Sequence, residues 1–576
     1  MRVLLLHPED DFQRWCTHGR WDLIVDLGRA PKSFYDEWSR RLAGPIFSIF
    51  DLALEVEDLL VWRDLLNQGM GRVVDRFGID WWDVIGILLQ PRMQELRLAD
   101  RLANKIGNCK QLAVTRPSLI GEALQLRLRC PLKVLASRFQ TRLTHSVGRY
   151  GRAVANLSFR ELRQVLYDKY DARYIWRRKF AAAAGRSSKP VVLIPSAYSN
   201  VTRTAFRYAE VLPGQQFLLV LARGTGEVSP VPKNVQTEWL TAFALARSDK
   251  RELGQLERSW DELRSSLQTH PELELSARLG VLCDGKKWLR WGLAVRDAWH
   301  EVFERRAIVG CLSADDSNPY SRIPLLLACQ RNVHAVACHH GALDGMMAIK
   351  RPAYSTYLTK GEMEKDYLEH LCRVEASRLR IAAPAAPLQS DSLWRGSAPW
   401  IVFFSEPYET DLWRAEAIYR EVLPRLCGAA RHAGKNVVMK LHPFESARQR
   451  QRMLNRVLKK DDQQLVRVLS APLSREILDN TWCAVTVEST TAFECAIGGI
   501  PAFLCGWLRH AYVGYAPQFA RFGVARMLDG PDDLENIPAL VEASIPPASL
   551  RERLVHAISP EELAEILCGA PTGTLR

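Results

Sequence analysis

Trp400-Ile401-Val402-Phe403-Phe404-Ser405, Asn436-Val437-Val438-Met439-Lys440-Leu441-His442-Pro443 and Cys483-Ala484-Val485-Thr486-Val487-Glu488-Ser489-Thr490-Thr491 decide the fold class. Each opens as a short run of apolar and β-branched residues, the pattern of a strand buried on both faces. Stretches of helical spacing separate them: Leu412–Ala433, Ala447–Lys459 and Leu473–Asn480. With strands at Leu465–Leu469 and Ala502–Cys505 and a helix at Thr491–Gly498, five strands alternate with helices and predict a Rossmann-like domain over 397–545. The same alternation runs upstream, through Val3–Leu6, Leu23–Asp26 and Ile46–Phe50, then a βαβ unit at Val191–Pro195 and Phe217–Leu221, then Ala307–Leu312 and Val333–Cys338 around a helix at Ile323–Gln330. Residues 55–129 read as mostly helical. The proline- and serine-rich stretch from Ile381 to Pro399 predicts a linker. The expected organisation is an α/β chain with a first Rossmann-like domain over 1–390, a basic helical insertion in it at about 126–186, a second domain over 397–545, and a helical tail over 546–576.

Composition narrows the class. Of 576 residues, 47% are apolar and 25% charged, which excludes wholesale disorder, a fibrous repeat and a disulfide mini-scaffold. The net charge of +13 is concentrated: between Leu126 and Phe180 there are fourteen Lys/Arg against three acids, a surplus of +11 that points to an anionic neighbour. No apolar run reaches the roughly 18 residues of a spanning helix, so neither a signal peptide nor an integral membrane protein is expected. Thirteen cysteines without a C-x-x-C pair read as core hydrophobes of a reducing cytoplasm, and no metal site is expected.

Two strand ends carry polar groups suited to a phosphate. After Val485-Thr486-Val487 come Glu488, Ser489, Thr490 and Thr491 at a helix start, with Glu494 in its first turns and Gly498-Gly499-Ile500-Pro501 beyond it. Hydroxyls and free N–H groups at a helix start bind anions, and also serve as plain caps. The second is Lys440, His442 and Pro443, at the carboxyl edge where open α/β sheets place ligands. Both are expected on neighbouring strands, outlining one anion site. In the first domain, His339-His340-Gly341 follows a strand. There His340 is a candidate general base, because imidazole titrates near neutrality. Asp316, in Ser313-Ala314-Asp315-Asp316-Ser317, is an alternative base or a helix cap. Glu406 lies after the first strand of the second domain, as a sugar contact or a solvated loop. No Asp-x-Asp occurs, which argues against a metal-dependent, single-domain glycosyltransferase.

From about Trp400 to Gly530 the chain resembles the donor domain of GT-B glycosyltransferases. It is similar in its motifs to bacterial surface-polysaccharide enzymes with a His-Pro and a Ser/Thr motif, namely capsule Kdo transferases and sialyltransferases using CMP-sugars, and to CDP-glycerol glycerophosphotransferases. The resemblance implies two facing Rossmann-like domains, a phosphate held by His442, Ser489 and Thr490, and a ribose met by Glu494. It further implies a nucleotide-sugar as substrate with no cofactor and no metal, a glycan or lipid-linked glycan as acceptor, and work in the cytoplasm, peripheral to the inner membrane. His339-His340-Gly341 is similar to the His-Gly element of such enzymes, with Gly341 in the cleft. Their acid-acid-Gly pattern is broken here by Ser317. Within the basic stretch Arg173, Arg177, Arg178 and Lys179, with Tyr174 and Trp176 among them, are expected to meet an anionic membrane surface. Two other readings remain open at this stage: a CDP-polyol phosphotransferase, and a polyanion or nucleic-acid binding protein. No nucleic acid is expected on the main reading.

Overall fold

In the computed structural model the named strands pair only in parallel ladders, in three separate sheets. The structure describes residues 1–569 except 136–183 and shorter stretches, chiefly within 53–62, 245–248, 344–355, 385–393, 407–411, 443–444 and 509–514. The first sheet contains β1 (Arg2–Leu6), β2 (Leu23–Asp26), β3 (Ile46–Ser48), β4 (Gln111–Val114) and β5 (Leu132–Val134), in the order β3-β2-β1-β4-β5. The second contains β6 (Ser187–Tyr198), β7 (Phe217–Thr225), β8 (Val235–Trp239), β9 (Arg306–Ser313), β10 (His334–Ala337), β11 (Thr356–Thr359) and β12 (Leu379–Ile381), in the order β12-β11-β10-β9-β6-β7-β8. The third contains β13 (Trp400–Phe404), β14 (Asn436–Lys440), β15 (Val466–Leu469), β16 (Thr481–Thr486), β17 (Ala502–Cys505) and β18 (Arg526–Leu528), in the order β15-β14-β13-β16-β17-β18. All three share one winding, in which the chain lays two strands on one side of the first and then returns to its other side. Each therefore has a topological switch point, between β1 and β4, β6 and β9, and β13 and β16, where open α/β sheets form a crevice at the carboxyl edge.

The α/β reading with parallel sheets holds, but the single Rossmann-like domain expected over 1–390 is two sheets. The cause is β4, which lies in the stretch read as helical. It is only four residues long and pairs beside β1, with Arg2 opposite Gln111. The chain divides into two compact units: one joins 1–55, 95–158 and 390–552, and the other joins 56–94, 159–389 and 553–576. The first and third sheets thus share a unit, and the sequence-based boundary near 390 separates strands that belong together. The tail expected over 546–576 also divides. From Arg553 onward it belongs with the second sheet, where helix Pro560–Cys568 buries Leu563 and Leu567 in that sheet's core. Gly310 of β9 makes room for it, since a Cβ there would lie 2.1 Å from the Leu567 carbonyl oxygen.

The third sheet is covered by helix Leu412–Ala433, whose Ile418, Tyr419, Val422, Leu423 and Leu426 are buried in the same core as Ile401, Phe403, Val437, Met439, Cys483 and Val485. The helical spacing of the first set and the strand alternation of the second bring two apolar faces together. Among the described residues no helix is long and apolar enough to cross a membrane. The basic patch of Arg173, Arg177, Arg178 and Lys179 lies outside the described residues.

Candidate functional site

The third sheet carries the phosphate-type residues at its carboxyl edge. Lys440 ends β14, and His442 follows it two residues on. Glu488, Ser489, Thr490 and Thr491 follow β16. These were expected on neighbouring strands; in the structure β13 lies between β14 and β16, so the two groups flank the strand that begins the switch point. Glu406, just past β13, fills the interval. It is 5% exposed, and its Oε1 accepts from the Glu488 backbone N–H at 2.8 Å and from the Thr486 hydroxyl at 2.9 Å. Glu406 therefore ties the ends of β13 and β16 together. It is not the solvated loop that was one of its two expected roles.

The turn after β16 is built from hydroxyls. The Ser489 N–H donates to Thr486 Oγ1 at 3.2 Å, and Ser489 Oγ accepts from the Thr491 hydroxyl at 3.0 Å and the Thr491 N–H at 3.4 Å. Ser489, Thr490 and Thr491 are partly exposed, whereas Glu488 is buried and Glu494 is half-buried. Helix Thr491–Ile497 ends at Gly498-Gly499, where Gly499 takes a φ of +72° and the Ile500 N–H closes back on the Cys495 carbonyl, turning the chain into β17.

His442 is held by a residue that motif reading missed. The Glu445 carboxylate accepts the His442 backbone N–H at 2.8 Å, the Ser405 hydroxyl at 2.9 Å, the Tyr419 hydroxyl at 3.2 Å and Arg450 Nε at 2.8 Å. One buried carboxylate thereby fixes the loop after β14 to the end of β13 and to the covering helix. Pro443 lies outside the described residues. Burial pushes the His442 imidazole below its usual 6.5; the Lys440 charge adds to this and Glu445 opposes it. Burial likewise lowers the Lys440 ammonium, against the pull of Glu445, and Lys440 Nζ donates to the Leu441 carbonyl at 2.6 Å. Both side chains are held partly out of water, and an incoming anion would favour the charged form of each.

In the second sheet the switch point lies between β6 and β9, and its carboxyl edge brings together Tyr198 at the end of β6, Asp315 and Asp316 after β9, and His339, His340 and Gly341 after β10. Asp316, expected as an alternative base, is fully buried. Its carboxylate binds Lys350, accepts the Tyr357 hydroxyl at 2.9 Å and pairs with Arg322 at 3.3 Å. Two cations and a phenol occupy it, so it acts as a structural node and is poorly placed to take a substrate proton. Its neighbour Asp315 was passed over, and it is linked to His340 through Tyr198 instead. The Tyr198 hydroxyl donates to Asp315 Oδ2 at 2.8 Å and lies 3.4 Å from His340 Nδ1. His340 is partly exposed and packs edge-on to the Tyr198 ring. Gly341 donates its N–H to His339 Nδ1 at 3.2 Å, and Lys360 Nζ donates to the His339 carbonyl at 2.9 Å, so the histidine pair is braced from both sides. The signal that could have found this chain is positional, because Tyr198 and Asp315 each close a strand adjoining the switch point.

No protein-family model matches this chain, and no curated protein matches it. Among solved structures it is similar to MurG of Acinetobacter baumannii, at 10% identity over 66% of this chain and 99% of that one, with a TM-score of 0.40. It is also similar to the calicheamicin glycosyltransferase CalG4, at 11% identity over 67% of this chain and 96% of that one, with a TM-score of 0.37. A third is UDP-GlcNAc 2-epimerase from Neisseria meningitidis bound to UDP-GlcNAc, at 9% identity over 66% and 97% of the two chains, with a TM-score of 0.36. What this chain does is read from its own side chains.

Proposed function

We propose that this chain is a GT-B glycosyltransferase that moves a sugar from a CMP-linked donor to a growing surface glycan or lipid-linked glycan, with neither metal nor cofactor. The observation that carries the reading is the placement of Lys440, His442 and the Ser489–Thr491 hydroxyls at the carboxyl edge on either side of β13, in a sheet whose switch point begins at that strand. On this reading Lys440, His442 and the hydroxyls hold the donor phosphate, Glu494 meets the ribose, and Glu406 and Glu445 hold the loops in place. His340 takes the proton of the acceptor hydroxyl. The acceptor oxygen bonds to the sugar carbon, and the bond from that carbon to the phosphate oxygen breaks with its electron pair on the nucleotide. Charge gathers on that phosphate in the transition state, where fixed cations stabilise it most.

Thermal-shift titration of the full chain with CMP, CDP, UDP and GDP tests the donor assignment. A ligand at 100 times its Kd raises stability by about 2.7 kcal/mol, well within reach of the method. CMP or CDP is expected to stabilise the protein, and no response to any nucleotide overturns the reading. The sign of the pH dependence follows from His442. Its imidazole is depressed in the free protein and a bound phosphate raises it, so binding takes up a proton. Affinity for CMP is therefore expected to be lowest above the bound-state value and to climb as pH falls from there toward the free-protein value, which lies below 6.5. Calorimetry in buffers of different ionisation enthalpy checks this, and proton release on binding would contradict it.

The basic patch belongs to the same reading, because each Lys or Arg close to an anionic leaflet contributes about 1 kcal/mol. Changing Arg173, Arg177, Arg178 and Lys179 together to Gln is expected to weaken salt-sensitive pelleting with anionic liposomes and to leave the CMP thermal shift unchanged. Equal pelleting of both proteins removes membrane docking from the reading.

A further inference from the structure

We propose that Tyr198 and Asp315 are positioning residues that fix the tautomer of His340, with the ring proton on Nδ1 and Nε2 left as the basic nitrogen; this rests on the reading of His340 as the acceptor base. The inference follows from counting protons. Asp315 is 2% exposed, and as a carboxylate it can only accept: Oδ1 takes the Ser317 backbone N–H at 2.7 Å, and Oδ2 takes Asn318 Nδ2 at 2.7 Å and the Tyr198 hydroxyl at 2.8 Å. The single phenolic proton is thereby committed to Asp315. What the tyrosine oxygen offers the imidazole, 3.4 Å away at Nδ1, is a lone pair, so Nδ1 must be the nitrogen that carries hydrogen. The edge-on packing of the two rings, with centroids 5.3 Å apart, restricts rotation of the imidazole about this contact.

The residues come from three elements that only the sheet brings together: Tyr198 from the end of β6, Asp315 from the loop after β9 and His340 from the loop after β10. The logic is that of an acid-histidine pair with a phenol inserted between them. When Nε2 accepts the acceptor's proton, the Nδ1–H of the imidazolium faces an oxygen whose own proton is drawn toward a carboxylate, and the chain is polarised to favour that charge. His339 differs, because its Nδ1 accepts from the Gly341 N–H, which places the hydrogen of a neutral ring on Nε2. The two adjacent histidines are thus set in opposite tautomers by their neighbours.

Nitrogen-15 NMR of ring-labelled histidine in the full-length protein reads the tautomer directly. The His340 signals, assigned by their loss in His340→Gln, are expected to show a protonated Nδ1 in the neutral ring, and Tyr198→Phe is expected to erase that preference while keeping the ring contact. Asp315→Asn gives the sharper result: the amide can donate to the tyrosine oxygen, which turns the phenolic proton toward His340 and inverts the tautomer. In transfer assays both variants are expected to lower kcat, by about tenfold for Tyr198→Phe, a part of what a general base supplies. KM for the donor and the CMP thermal shift are expected to stay as in the wild type. A wild-type His340 with hydrogen on Nε2, or a tautomer unmoved by both substitutions, overturns the inference and leaves the transferase reading standing. If no transfer or nucleotide binding is found but the tautomer responds as described, the transferase reading fails and the positioning chain stands.

Discussion

His442→Ala is expected to lower kcat by about a hundredfold or more, the loss that follows removal of a preorganised donor to developing negative charge. The fold is expected to tolerate the change, because the bond from the His442 backbone N–H to Glu445, which holds the loop, is one that alanine keeps. Lys440 remains in place on β14. The loss therefore falls on the leaving phosphate alone, and kcat and kcat/KM should drop together, since an interaction strengthened as the bond breaks contributes to the transition state more than to the bound donor. Steady-state kinetics with saturating donor checks this. Turnover near the wild-type value would place the leaving-group contact elsewhere, with the Ser489–Thr491 hydroxyls as the groups to test next.

The strands that carry this site were legible because they are mostly apolar runs separated by helices of ordinary length: β13, β14, β16 and β17 all lie where the alternation predicted them. The strands missed are short or of mixed polarity. β4 opens on Gln111 within a stretch of helical spacing, β18 has three residues, and β8 carries Gln236 and Glu238 among its five. Nothing local in such segments separates a strand from a loop. Their strand character comes from the neighbours they pair with, and for β4 one of these, β1, is more than a hundred residues away. The same limit governs the site. Lys440, His442 and the Ser489–Thr491 run were found as contiguous motifs, whereas Glu406, Glu445, Tyr198 and Asp315 act through partners on other strands. The choice of Asp316 over Asp315 shows this most clearly, since two adjacent carboxylates are equivalent in a sequence and their roles separate only when Lys350 and Arg322 bind one and Tyr198 the other.

Arg296→Met is expected to cost about 3–5 kcal/mol of stability, the range found when one partner of a buried ion pair is removed. Arg296 is 0% exposed and serves three carboxylates: it donates to Asp75 at 2.7 Å, to Glu252 at 2.7 and 2.9 Å, and to Asp297 at 2.5 and 3.1 Å. Asp75 is itself a hub, accepting the Phe77 and Ile79 backbone N–H groups at 2.9 and 3.0 Å and the Trp81 indole at 3.1 Å, so it folds the turn that enters helix Trp82–Ile106. Methionine would fill much of the space and leave three buried acids, of which Glu252 and Asp297 keep Arg76, at the rim, as a partner. The pH dependence distinguishes this cause from lost packing. Burial alone would raise the Glu252 carboxyl, but its bond to Arg296, that residue's charge and Arg76 together bring it below its usual 4.5. A depressed carboxyl contributes stability that is present above its unfolded value and lost as pH falls. In Arg296→Met burial acts unopposed by that charge, the Glu252 carboxyl is raised, and the variant gains relative to the wild type on acidification. The difference in urea midpoint is thus expected to be largest near neutrality and to narrow as pH falls, from the variant's raised carboxyl value down to the wild-type value below 4.5. A deficit that stays constant from neutrality to acid would assign the loss to packing, and a deficit under about 1 kcal/mol would rank the network with ordinary surface pairs.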